Sequence, residues 1–108
     1  MTMRRRTIRG IHRALLELHS GANVRLKVVS RAAIGRALGE PKDRPQGAAI
    51  YSRKEGRVVY IARDLSYEGQ LDALIHEWAH HLAPHNDSED HDDAWGVAYA
   101  RLYRKVNG

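Results

Sequence analysis

Cysteine is missing from all 108 residues, which removes disulfides, thiolate metal sites and a thiol nucleophile in one step. Any metal held by this chain is held by nitrogen or oxygen. Phenylalanine is missing too, and with two Trp and five Tyr as the whole aromatic complement, the core must come chiefly from Ile, Leu, Val and Ala. No stretch approaches the ~20 consecutive apolar residues of a membrane span. The arginine-rich start runs into residues 8–18, where charges interrupt the apolar positions; Glu17 and a regular stripe favour an ordinary first helix over an export or organelle-targeting segment. There is no internal repeat and no low-complexity tract. The length suffices for one domain with a single modest core, and a cytoplasmic location is expected.

Charge is divided unevenly. Residues 1–63 hold fifteen Lys or Arg against four Asp or Glu, a net of +11, whereas residues 64–108 hold three against nine, a net of −6. Arg4, Arg5, Arg6, Arg9 and Arg13 open the basic half, which predicts electrostatic attraction to nucleic acid. A solvated face is the competing reading, since no nucleic-acid-binding motif accompanies the charge.

Periodicity gives the elements. Ile8, Ile11, Leu15 and Leu18 predict a helix that ends near Ser20-Gly21 with a left-handed glycine stop. Val24, Leu26 and Val28 alternate with Arg25 and Lys27 in a half-buried strand over residues 24–29; residues 31–38 suit a short helix. Pro41 and Pro45 mark residues 39–47 as a loop and one wall of a cleft. Residues 47–52 and 57–62 flank Arg53-Lys54-Glu55-Gly56, a hairpin signal with Gly56 at positive φ. Tyr51, Tyr60 and Tyr67 are expected to pack on sheet or helix. Leu71, Leu74, Ile75, Trp78, Ala79 and Leu82 define a helix over residues 67–83, capped by Ser66, with Glu68 and Asp72 in its early turns and Pro84 as its stop. Trp95, Ala98, Tyr99, Leu102 and Val106 define a last one, with Asp90, Asp92 and Asp93 at its start. The order predicts an α+β fold: a small antiparallel or mixed three-stranded sheet packed against an N-terminal, a central and a C-terminal helix.

His76-Glu77-Trp78-Ala79-His80 lies inside the central helix. Side chains at i and i+4 share a face, so His76 and His80 can bind one ion while Glu77 projects beside it, the place for a general base; this is the HExxH zinc pattern, and it points to a metallopeptidase. A chance pair of surface histidines is the alternative, and the capped amphipathic helix around the motif weighs against it. A catalytic Zn²⁺ usually takes three protein ligands and a water. His81 is about 100° round the helix from His80, which suits a solvated or supporting role. His91 and His85 remain as third ligands, His91 preferred, with Glu89 or an Asp behind them.

His76-Glu77-Trp78-Ala79-His80-His81-Leu82, a polar loop, then His91-Asp92-Asp93-Ala94-Trp95 resembles the core of the SprT-like and WLM-type zinc peptidases, over about the last forty residues. The resemblance implies a minimal zincin-like domain with His76, His80 and His91 as zinc ligands, Glu77 as catalytic acid/base and Trp95 as an aromatic packed under the active-site helix. His85-Asn86 resembles the WLM pattern and keeps His85 as the alternative ligand. Asp92 stands where SprT-like members often carry glycine, and no cysteine-based zinc ribbon follows. A protein or peptide substrate is implied, laid along a sheet edge, and SprT-like relatives often work on proteins attached to DNA. The expected reaction is endopeptidase hydrolysis with Glu77 moving the proton, helped by an oxyanion donor from among Tyr99, Tyr103, His85 and His81. The non-catalytic alternative is a zinc-stabilised module that binds nucleic acid or protein.

Overall fold

The computed structural model describes residues 6–83 and 93–108. Its elements run α1 (Ile8–Leu18), β1 (Val24–Val29), α2 (Arg31–Ala37), β2 (Gly47–Ser52), β3 (Gly56–Ala62), α3 (Tyr67–Leu82) and α4 (Asp93–Asn107). Three helices begin on a hydroxyl that accepts from a backbone N–H three residues on, relieving one orphan donor each. Thr7 bonds Gly10, Ser30 bonds Ala33 and Ser66 bonds Gly69.

The sheet is ordered β1-β3-β2, with β3 central, parallel to β1 and antiparallel to β2. A strand covered on both faces loses apolar alternation, which is why β3 reads Val58, Val59, Ile61, Ala62 with all four buried. Val59 and Ile61 join the main core with α1, α3 and α4, whereas Ala62 packs with Ile34 of α2 and Ala48. Gly56 carries the hairpin turn at φ 74°, where a Cβ would be strained. The β2–β3 register pairs Gly47 with Ile61 and Ser52 with Gly56. Gln46 O accepts from Ala62 N at 2.8 Å, so Gln46, Ala48 and Ile50 turn their backbone groups toward β3. Gly47, Ala49 and Tyr51 turn theirs away from it, along an edge that is open among the described residues.

α3 is the most enclosed helix. It packs on α1, β2, β3 and α4, and Leu71, Leu74, Ile75, Trp78 and Ala79 are at most 2% exposed. Trp78 sits between two histidines of the α1 region, His12 and His19, with ring centroids 5.6 and 5.9 Å away. Its indole Nε1 donates to His12 Nδ1 at 3.0 Å, satisfying both buried polar atoms. The His12 ring also bonds the backbone at Val24, tying α1 to β1.

Several expectations change. Gly21 has no positive φ; α1 ends instead at His19 in an irregular conformation, and Ala22 N closes a turn on His19 O at 2.7 Å. Tyr51 does not pack, being 71% exposed on the edge strand. Tyr67 is anchored by its hydroxyl, which donates to Arg6 O at 2.7 Å. His81 is buried rather than solvated: its Nε2 lies 2.9 Å from Val58 O, and Arg57 Nη1 donates to His81 O at 3.4 Å. The histidine thus fastens the end of α3 to the central strand. Pro84 and the start of the final segment, including Asp90 and Asp92, lie outside the described residues.

Two outcomes follow from the Trp78–His12 bond. Trp78→Phe removes the donor, leaves a buried acceptor unpaired and opens space, at a cost of about 2–4 kcal/mol; a melting temperature at least ~8 °C lower is expected. Burial lowers the His12 pKa from its ordinary 6.5, with Arg9 adding to the effect and the Val24 bond opposing it. The unfolded ring therefore takes a proton before the folded one does. This contribution to stability is complete above about pH 6.5 and is lost as pH falls through the folded value. Melting temperatures measured between pH 7 and 5 should fall more steeply in the parent than in His12→Gln; equal slopes would contradict a buried neutral His12.

Candidate metal centre

The phase of α3 decides which of its side chains are presented outward. With Trp78 turned into the core, the neighbouring positions His76 and His80 fall together on the opposite, half-buried side, one turn apart. Their ring centroids are 5.0 Å apart at an interplanar angle of 67°. One ligand atom from each of His76, Glu77 and His80 can be chosen so that all three lie within 4.8 Å of one another. These residues could hold a metal ion: two imidazole nitrogens and a carboxylate oxygen are donors suited to a borderline divalent cation.

Glu77 differs from its neighbours in depth. It is 8% exposed, and its Oε2 is 3.9 Å from His76 Nε2. Desolvation pushes its carboxyl up from the ordinary 4.5 to about 7. A group with that acidity can take and give a proton near neutral pH.

Trp95, from the first turns of α4, closes one side of the pair. Its indole Nε1 donates to His76 O at 3.3 Å, and its ring lies 5.0 Å from the His76 ring and 5.6 Å from the His80 ring. Tyr99 stacks on Trp95 at 5.2 Å and donates its hydroxyl to Asp72 Oδ1 at 2.9 Å, one turn before His76. Desolvation, aided by Asp72, pushes the Tyr99 pKa up to about 12, so it remains a phenol that donates. Tyr103 continues the stack at 6.1 Å from Tyr99. An α4 stripe thus braces the outward face of α3 along its length.

The sequence expectations divide accordingly. His76, Glu77 and His80 come together, and Trp95 packs on both imidazoles. His85 and His91, the two choices for a third donor, lie outside the described residues. Of the oxyanion candidates, Tyr99 is already committed to Asp72 and His81 is turned into the sheet, while His85 is again outside the described residues. Two residues were missed. His12 stands four positions after Ile8 on the apolar stripe of α1, a spacing that marks it as buried. Gly47 has no such sequence signal: only the folded chain shows it beside the Glu77 carboxylate.

Because Trp95 holds both imidazoles, Trp95→Ala should weaken divalent-metal binding by about tenfold, the order found for residues that orient ligands. Trp95→Phe, which keeps a ring there, should lose less. Metal titration by calorimetry separates the two; identical affinities in Trp95→Ala and the parent would show that the ring does not orient the pair.

Compared with known proteins, the chain matches no family model, no curated protein and no solved structure.

Proposed function

We propose that this chain is a zinc-dependent metallopeptidase of zincin-like arrangement, with His76 and His80 as metal ligands and Glu77 as the general acid/base. The observation that carries the reading is the division of labour on α3. Two imidazoles converge on one half-buried face, and the carboxylate between them in sequence is buried beside them with a pKa near neutrality. A surface pair of histidines has no need of a desolvated acid. His91, or His85, would complete the ligand set.

When bound, the zinc ion supplies an acidified water and a positive charge that polarises a carbonyl. The protein's own part is to position and to move a proton. The Glu77 carboxylate is the acceptor at Oε1 or Oε2, and its raised pKa leaves it able to return that proton to the departing amine. His76 and His80 are kept in place by the Trp95 ring, and the helix beneath them by the Trp78 and His81 anchors. The open edge of β2 begins at Gly47, next to Glu77, and its outward N–H and C=O groups suit an extended peptide paired as an added strand. Such pairing reads backbone more than side chain, which fits a broad choice of protein substrates. The basic residues of the first half, Arg9 and Arg13 of α1 among them, would bring such substrates in when they are bound to nucleic acid.

Glu77→Gln should keep bound zinc while cleavage of an unfolded protein substrate falls at least ~10²-fold, the usual scale for loss of an acid/base group. Metal content and turnover measured on the same preparation decide it; undiminished cleavage would remove the catalytic role, whereas loss of zinc would make Glu77 a ligand. In a parallel pair, His91→Ala should lose more zinc affinity than His85→Ala, and the opposite order would make His85 the third ligand.

A further inference from the structure

We infer that Gly47 is a positioning residue for Glu77: the missing side chain at the start of β2 is the space in which the Glu77 carboxylate is held. This deepens the hydrolase reading and rests on it for its catalytic consequence, although the contact itself is independent of any activity.

Three observations lead there. A Cβ placed on Gly47 would come within 3.3 Å of both Cγ and Oε2 of Glu77, and within 2.9 Å of Tyr60 O. Gly47 is therefore a glycine for want of room and not for its backbone angle, since its φ lies outside the positive range that Gly39 and Gly56 occupy. The location is also particular. Gly47 is the first residue of β2, held across from Ile61 by the strand register and by the Gln46–Ala62 hydrogen bond just before it. The neighbouring Tyr60 carbonyl is part of the central strand and cannot easily retreat. The strand backbone thus forms a fixed floor, and the flexible partner in the contact is the acid.

The contact helps to keep water from the Glu77 side chain, which is buried. It also places the open edge of β2 beside the acid, so one glycine sets both the acid's position and the start of the edge. A methyl group at position 47 would push the carboxylate off its place by a few tenths of an ångström or more. Misplacement on the ångström scale can cost two orders of magnitude in rate while binding is hardly altered.

The test is a double-substitution cycle of Gly47→Ala and Glu77→Asp, the shorter acid withdrawing one methylene from the contact. Gly47→Ala should lower kcat roughly tenfold to a hundredfold. KM and zinc affinity should stay within about threefold of the parent, since neither ligand histidine is touched. Glu77→Asp should cost less when made together with Gly47→Ala than when made in the parent, because residues in contact are coupled and distant ones add. The same cycle is read in the zinc-free chain by melting temperature. Gly47→Ala should lower it, and the double variant should regain part of the loss; this readout also serves if Gly47→Ala alone is too unstable for kinetics. Additive melting shifts would overturn the contact, and unchanged kcat in Gly47→Ala would overturn the positioning role. Non-additive melting together with full activity of Glu77→Gln would instead overturn the hydrolase reading and leave the contact intact.

Discussion

The rotational setting of α3 about its own axis governs everything downstream, and one hydrogen bond between buried rings does most to set it. An indole cannot be buried cheaply with its N–H unpaired, so Trp78 is held to the one direction in which His12 Nδ1 accepts from it. One turn further on, His81 bonds the Val58 carbonyl and opposes rotation there too. With these two anchors holding the C-terminal half of α3, His76 and His80 have one side left to them, and Glu77 falls at the boundary with the sheet. A turn of the helix by one residue would exchange the buried acid for an exposed one.

Much of this could be read before the fold was known, because the relevant signals are local. Apolar spacing located α1 and α3, Ser66 marked the cap of α3, and the Glu55-Gly56 turn placed the hairpin. The i, i+4 relation of His76 and His80 needs nothing beyond helical geometry. What escaped was set by distant parts of the chain. His81, adjacent to a candidate ligand, suited a solvated or a supporting role, and the choice between them depends on where the central strand runs. Tyr51 looked like a packing residue; it is instead left outside because β2 is an edge. The parallel pairing of β1 with β3 is likewise invisible to periodicity, which reports faces and not neighbours.

The two sides of α3 carry out opposite tasks with the same kind of ring. His12, His19 and His81 lie on the inward side, where desolvation holds the pKa of His12 and His19 below the ordinary value and favours neutral rings. His76 and His80 lie outward, stacked with Trp95. In a chain without cysteine or phenylalanine, histidine supplies both the polar fastenings of a small core and its nitrogen donors. Five of the seven histidines are described, and each of these five borders α3 or belongs to it.

The two imidazoles on α3 are neighbours through four residues of local chain, whereas the Trp78–His12 bond spans 66 positions and β1 must cross over α2 and β2 to reach β3. Local contacts form early in folding and distant ones late, since closing the longer loop costs more entropy. A nascent helix can therefore offer its nitrogen pair to a cation before the sheet exists. Glu77, by contrast, is shut away from water only when the strand floor and the surrounding layers have closed over it, so burial of the acid belongs to the completion of assembly.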